Sequence, residues 1–319
     1  MSSHSAPPPG EASTDEPVPP QTGEGAEPDS PLDLDRPEWR QSLKRTVNEI
    51  QTDRIPHVAA GMAFYWFLSL FPALIALVGF LGLFGAGPAA AGQIIKGVRS
   101  ILPGDAANVL VDALSDSATQ SGRASVVAAV VGILLALWSA SSGMAALQNG
   151  LNIAYDVPHD RRFVKRRLVA FLLLAIVALL AGTASALLVF GAPLGDVIRR
   201  SFAAGAVFVP VWTVLRWVLT LLLMSVLFAV VYYLGPNRES PSWRWISPGG
   251  FLGTLIWILA SVGFSLYVTK FGNNARTYGA LAGVVILLLW LYLTGLAVLV
   301  GGEFNSELER QAAKRSQPE

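Results

Sequence analysis

Polar residues inside long apolar stretches are the residues of this sequence best placed to do chemistry. Glu303 closes the last such stretch, two residues before Asn305, and Arg216 interrupts an earlier one. An ionisable residue within a membrane is a functional candidate, because burying its charge in lipid is costly. Glu303 is interpreted either as a proton-coupling or gating carboxylate, or as an interfacial residue that pairs with a basic loop. Arg216 is interpreted either as a site for an anionic group, or as a side chain that reaches the membrane surface.

Three further polar side chains follow another apolar stretch at helical spacing, namely Asn149, Asn152 and Tyr155. A buried asparagine needs hydrogen-bond partners, so this group either joins helices together or lines a path through them. Pro72 lies in the middle of the first apolar stretch and removes a backbone donor there, which predicts a kink. The kink is interpreted either as structural or as lining a cavity.

The segment 267–283 interrupts two apolar stretches with glycine, asparagine and tyrosine, among them Tyr278 and Gly279. It is interpreted either as a plain hairpin turn or as a loop that returns toward a cavity. The candidate residues for transport or gating are therefore Glu303, Asn305, Asn149, Asn152, Tyr155, Arg216, Tyr278, Gly279 and Pro72.

Residue types needed for most enzyme chemistry are scarce. The chain has no cysteine, and its three histidines (His4, His57 and His159) are widely separated. The sequence contains no metal-ligand spacing, nucleotide-binding loop or hydrolase elbow. We therefore predict no catalytic residues, no metal, no cofactor and no nucleic-acid partner.

The elements that must position these residues are apolar spans. Hydrophobic residues make up 53% of the 319 residues and charged residues only 14%, which excludes a soluble globular protein. A membrane-spanning helix needs roughly 20 apolar residues. Six stretches qualify, at about 58–84, 124–147, 168–191, 212–234, 249–269 and 280–302. The predicted fold is all-α, a polytopic membrane protein with six transmembrane helices and additional interfacial amphipathic helices.

The interfacial helices are predicted in three places. The loop 85–123 carries two short apolar stripes at helical spacing, and 37–56 carries another. Residues 201–211 are expected to form an interfacial helix with Pro210 near a bend. Ser247 and Pro248 are expected to open the fifth span as its N-cap and first-turn residues.

Charge divides the chain into regions and predicts its orientation. Residues 1–36 are acidic and rich in Pro, Gly and Ser, which predicts a disordered tail before a membrane domain at 37–310 and a short cytoplasmic tail at 311–319. With both termini cytoplasmic, fifteen Lys and Arg residues lie inside and eight outside. Because inside loops are the more basic ones, this orientation is predicted. The block 161–167 contributes most to this excess of basic residues on the inside.

Three stretches of the chain carry a family resemblance. They are 59–72 (AAGMAFYWFLSLFP), 137–155 (LWSASSGMAALQNGLNIAY) with the basic run that follows it, and 267–308 with YVTKFG, TYG and GGEFNSEL. As a set they resemble the YihY/BrkB family of bacterial inner-membrane proteins over about residues 40–310. Gly302 and Phe304 depart from the usual Gly-Ala-Glu-Leu-Asn, and Phe64 departs from the usual Ala-Tyr-Tyr.

The resemblance implies a six-span protein of the bacterial inner membrane with cytoplasmic termini, linked to transport of envelope lipid or lipopolysaccharide. The family also long carried the label ribonuclease BN. We reject that label for this chain, because a metal-dependent ribonuclease needs clustered His and Asp ligands.

The sequence and the resemblance leave two candidate functions. The first is a transporter or flippase of an envelope lipid, glycolipid or other amphiphilic substrate, with membrane lipids as partners. The alternative is a non-transporting membrane scaffold or envelope-assembly factor.

Overall fold

The protein was analysed as a computed structural model, which describes residues 31, 34–83, 123–201, 208–238, 243–271 and 280–315. Within these residues there is no β-strand, and the all-α prediction is confirmed for this part of the chain. The helices are α1 Arg36–Thr52, α2 Ile55–Leu83, α3 Arg123–Ala154, α4 Phe163–Ser201, α5 Phe208–Leu234, α6 Trp243–Phe271 and α7 Ala280–Arg315.

Several helices are long and apolar enough to cross a membrane. In the described residues four segments meet this condition, namely Phe163–Leu188, Phe208–Leu234, Arg244–Lys270 and Ala282–Lys314. Ile55–Leu70 forms a shorter apolar segment. Helices α2 to α7 overlap the six predicted spans, but the count of six spans stays a prediction.

The long helices expose large apolar side chains along their length. Leu179 is 68% exposed, Val214 64% and Leu259 63%. A helix of a soluble protein turns such side chains toward a core, whereas a helix in lipid keeps them on the outside. The exposed surface therefore agrees with a membrane protein.

The core lies where helix ends meet. Helix α2 packs against α3 and α7, α6 packs against α5 and α7, and α4 packs against α5. Ile55, Leu151, Tyr232 and Leu299 are fully buried in this core. They come from the start of α2, the end of α3, the end of α5 and the second half of α7, so the bundle is most tightly packed at one end.

Helix α1 lies against α7 at this same end. Its start is capped, because the backbone N–H of Asp35 donates to Oε2 of Glu38 at 2.7 Å. Ser42 and Thr46 are buried, whereas Leu43 and Val47 of the predicted apolar stripe are about half exposed. The helix predicted within 37–56 is confirmed, and its contact with lipid stays a prediction.

Two predicted boundaries are wrong. Ser247 and Pro248 lie inside α6, which begins at Trp243. The additional turn is stabilised by tertiary packing, because Trp245 packs against a buried cluster on α7 and Ile246 is fully buried. Pro210 lies in the first turn of α5 rather than at a bend before it, since residues 208–211 are continuous with that helix.

Other predictions fall on residues outside the described part. They are the two helices within the loop 85–123, most of the acidic tail and the middle of 201–211. At the other terminus α7 continues without interruption to Arg315, so the helix of the last predicted span extends well beyond residue 302.

Candidate functional site

Asn305 lies at the centre of a buried polar network. Its Oδ1 accepts a hydrogen bond from the Gly249 backbone N–H at 2.7 Å. Its Nδ2 donates to the Ile246 carbonyl at 3.2 Å and to the Tyr155 hydroxyl at 3.1 Å. Asn305 is completely buried, so one side chain joins α7 to α6 and to the end of α3. We call this end of the bundle, which contains Asn305, Asn152 and Arg161, the polar end.

Two glycines allow α6 and α7 to approach closely beside Asn305. A Cβ atom on Gly249 would lie 2.2 Å from the Gly301 carbonyl oxygen and 2.4 Å from the Asn305 side chain. These distances are below van der Waals contact, so any larger residue at position 249 would displace α7 or the asparagine. The close crossing is what brings the Asn305 amide to the α6 backbone.

Arg161 caps the C-terminus of α5. Its guanidinium donates to the carbonyl oxygens of Leu234, Gly235 and Pro236 at 2.6–3.0 Å. These carbonyls have no partner within the helix, and a cation at a helix C-terminus is favoured by the helix dipole. Burial lowers the pKa of Arg161 from its ordinary value, and the Asp160 carboxylate acts in the opposite direction.

Asn152 connects the two segments that follow α3 and α5. Its Nδ2 donates to Oδ1 of Asp160 at 3.1 Å, and its Oδ1 accepts from the Asn237 backbone N–H at 2.8 Å. These bonds hold the two connecting segments together, and both interpretations of this asparagine stay predictions.

Tyr155 lies between the buried network and a surface ion pair. The Arg238 guanidinium lies 4.4 Å from the centre of the Tyr155 ring and forms a bidentate ion pair with Glu309 at 2.7 and 2.8 Å. Burial raises the pKa of the Tyr155 hydroxyl above its ordinary value, and the Arg238 charge opposes that shift. The tyrosine is therefore neutral.

Glu303 is buried at the polar end, with 1% of its surface exposed. Its carboxyl contacts the carboxyl of Asp53, which follows the last residue of α1. No donor reaches Oε1 of Glu303 among the described residues. The predicted pairing of Glu303 with a basic loop is therefore absent from the described part of the chain.

A lateral groove lies next to the polar end, between α2, α3 and the start of α4. It has a volume of about 310 Å³. Two of its lining side chains are exposed, Phe163 at 67% and Tyr65 at 52%. The lining residues are Tyr65, Ser142, Ala145, Ala146, Asn149, Phe163, Arg166 and Arg167.

The two arginines of the lateral groove are held in place by the protein. Arg166 donates through Nη1 to Oδ2 of Asp160 at 2.8 Å and through Nη2 to the Ala145 carbonyl at 3.3 Å. Arg167 donates to the Ser141 hydroxyl at 2.7 Å, and its guanidinium stacks 3.7 Å above the Trp138 ring. Within the described residues, Nη2 of Arg167 forms no hydrogen bond and is not buried. The groove therefore presents an Arg166–Asp160 ion pair and, on Arg167, a fixed positive charge with a free donor.

The remaining sequence candidates lie apart from these sites. Arg216 lies far along α5 from the polar end and packs its side chain against Gly191 of α4. Pro72 lies within α2, which continues on both sides of it. Tyr278 and Gly279 are outside the described residues. Of the nine candidates, the structure joins Asn305 to Tyr155 by a hydrogen bond, buries Glu303 and Asn152, and places Asn149 in the groove.

Several residues of the polar end and of the lateral groove are not among the candidates predicted from the sequence. Arg161, Arg166 and Arg167 were used only for orientation, although an arginine run directly before a span is also a signal for an anion site. Gly249 and Asn237 gave no signal of their own, because each contributes a backbone N–H that any residue except proline carries.

Comparison with known proteins places the chain in a family. Residues 46–319 match the family described as Virulence factor BrkB. The chain belongs to the BrkB family.

Two curated relatives of this BrkB family member are matched over most of their length. The ribonuclease-like protein YfkH of Bacillus subtilis is 33% identical over 253 residues, covering 79% of this chain and 90% of that protein. A UPF0761 membrane protein of Vibrio parahaemolyticus is 27% identical over 271 residues, covering 84% and 82%. No solved structure matches.

The BrkB match includes every residue of the polar end and of the lateral groove, since both lie after residue 46. It leaves out the acidic tail, as the sequence resemblance did. Among the described residues, no three His, Asp or Glu side chains are grouped closely enough to hold a metal ion.

Proposed function

We propose that this BrkB family member is a multi-pass protein of the bacterial inner membrane that moves an anionic amphiphile, such as an envelope lipid or glycolipid, between the leaflets. In this proposal the chain has six spans and both termini are cytoplasmic. The observation that carries it is the lateral groove, in which fixed arginines lie beside apolar and aromatic side chains.

The chemistry of the groove suits a molecule with one charged and one apolar part. Arg166 and Arg167 offer N–H donors on planar cations, which match the oxygens of a phosphate or carboxylate. Phe163 and Ala146 offer apolar surface beside them. A volume of about 310 Å³ accommodates a headgroup, so the hydrocarbon chains would lie along the exposed faces of α2 and α3.

The position of the groove also supports this function. Its arginines belong to the basic block 161–167, which the positive-inside rule assigns to the cytoplasmic surface. Tyr65 lies ten residues beyond the start of α2, which is about 15 Å along a helix. The groove would therefore extend from the headgroup level into the hydrocarbon of the inner leaflet, and a lipid could enter it sideways.

The test is a lipid-movement assay with purified protein in phosphatidylglycerol-containing vesicles. A fluorescent phosphatidylglycerol in the outer leaflet is bleached by dithionite, and further bleaching reports lipid arriving from the inner leaflet. We expect the wild-type protein to accelerate this arrival. The double variant Arg166→Gln/Arg167→Gln should slow it about tenfold or more, since a hydrogen bond to a charged group is worth about 1.5–3 kcal/mol.

The matched control is Arg162→Gln. Arg162 is an exposed arginine of the same basic block and does not line the groove, so this variant should move lipid at the wild-type rate. Equal loss in Arg162→Gln would attribute the effect to net charge and contradict the groove. A folded wild-type protein that moves no labelled lipid would contradict transport itself and favour the scaffold alternative.

A further inference from the structure

Two carboxyl groups meet at the turn between α1 and α2. Asp53 follows α1, and the carboxyl group of Glu303 on α7 lies beside the carboxyl group of Asp53. Glu303 is 1% exposed. Oε1 of Glu303 and Oδ2 of Asp53 are both buried, and no N–H or O–H group reaches either of them among the described residues.

The charged groups around this carboxyl pair do not neutralise it. The nearest acidic neighbours that act on Glu303 are Glu49 of α1 and Glu307 of α7, and the neutral Tyr155 approaches from the end of α3. The basic residues nearby are already engaged: Arg310 binds Asp156 and Glu307, and Arg45 donates to Gln311. Lys314 acts on Glu307. Within the described residues neither Asp53 nor Glu303 forms an ion pair.

Two carboxylates in contact cannot both be ionised at low cost. Each repels the other, and a buried charge without a counterion loses its hydration. If one carboxyl keeps its proton, its O–H donates to the oxygen of the other, and both orphaned oxygens gain a partner. Aspartic proteases resolve a similar contact by sharing one proton between two carboxyl groups.

We propose that Asp53 and Glu303 form a proton-binding site, in which the pair holds one shared proton and carries a single negative charge. The ligand is a proton exchanged with water, and no covalent bond between heavy atoms changes. This site goes beyond the proposed lipid movement and does not depend on it, because it involves α1 and α7 and not the lateral groove.

Occupancy of the site has a structural consequence. The shared proton joins the α1–α2 turn to α7 by a hydrogen bond. Release of that proton would place two negative charges in contact, without a cation paired to either of them among the described residues. The α1–α2 turn should then separate from α7, so proton binding stabilises the docked position of α1.

The direct test is infrared difference spectroscopy of the full-length protein at neutral pH, in water and in heavy water. A protonated carboxyl has a C=O band, distinct from that of a carboxylate, that shifts on deuteration. We expect this band in the wild type and its loss in both Glu303→Gln and Asp53→Asn, since an amide can donate to the remaining carboxylate. The matched control Glu309→Gln should retain the band, because Glu309 is ion-paired with Arg238.

Thermal unfolding gives a second measurement that does not depend on band assignment. The folded pair keeps a proton that the unfolded chain releases above about pH 5, so wild-type stability should fall as the pH rises. Asp53→Asn should weaken this dependence, and Glu309→Gln should not. If the carboxyl band persists in the folded Gln and Asn variants, or if the pH dependence is the same in wild type and Asp53→Asn, the shared proton is refuted. Either result is distinct from failure of lipid movement.

Discussion

At the residue scale, the Asn305 side chain connects several segments that are distant in the chain. Its side chain satisfies the Gly249 N–H, the Ile246 carbonyl and the Tyr155 hydroxyl at once. Burial strengthens such bonds, because removing the asparagine would leave these groups with fewer partners in a region away from solvent. The asparagine therefore has a structural role, since both ends of its amide are occupied.

Replacing this amide should destabilise the fold strongly. We expect Asn305→Ala to lower the free energy of unfolding by about 3 kcal/mol, because three buried polar groups lose a partner. The measurement is denaturant or thermal unfolding of the purified protein in detergent. Asn149→Ala is the control, since Asn149 is exposed at the groove, and its stability should be unchanged. Equal stability of the two variants would contradict the network.

At the element scale, the crossing of α6 and α7 depends on close backbone approach. Gly249 faces the Gly301 carbonyl, and the Tyr232 hydroxyl from α5 donates to the Val298 carbonyl at 2.9 Å. Three helices therefore meet within one turn of α7. Small residues at helix crossings are characteristic of membrane proteins, where packing replaces the hydrophobic effect between helices.

A methyl group at this crossing should separate the helices. We expect Gly249→Ala to destabilise the protein by about 1–3 kcal/mol, the usual cost of overpacking, and to weaken the Asn305 hydrogen bonds. Gly263→Ala in the same helix is the control, because nothing lies within 4 Å of its added Cβ. That variant should unfold at the same temperature as the wild type or higher, since alanine favours the helix. A tolerated Gly249→Ala would show that the crossing is looser than described.

At the scale of the whole molecule, polar contacts and apolar surface are separated. The polar end holds the Asn305 network, the Arg161 cap and the carboxyl pair, whereas the helices beyond it expose leucine, valine and phenylalanine. The lateral groove lies at the boundary between these regions. A protein arranged in this way holds its helices together at one end, and the proposed lipid path lies along the side of that fixed end.

The absence of cysteine makes the orientation directly testable. We expect Arg162→Cys to react with a membrane-impermeant maleimide only after cells are permeabilised, because the basic block is predicted to be cytoplasmic. Ser117→Cys, in the loop predicted on the other face, should react in intact cells. Reaction of Arg162→Cys from outside would invert the orientation, and matching reactivity at both positions would contradict an odd number of spans between them.

The helices and the membrane class follow from local sequence, whereas the candidate sites follow only in part. Long apolar stretches predict helices because the chain must satisfy its backbone hydrogen bonds internally in lipid. Spacing also singled out Asn152 as a polar residue that needs partners, and Asn305 stood out by its position two residues after Glu303. The sequence did not identify the partners of Asn305. They are the main-chain N–H of Gly249 and the hydroxyl of Tyr155, which lies 150 residues earlier in the chain.

By itself, the sequence determined the helical class, the absence of cysteine and the residues whose burial would be costly. Only the tertiary structure decided that Asn305 is fully bonded, that α6 begins before Pro248, and that Arg166 and Arg167 line a groove. It also placed Glu303 beside Asp53, a residue 250 positions away. The physical reason is that apolar periodicity is a local property of the chain. Hydrogen-bond satisfaction and contact between charges depend on which distant segments pack together.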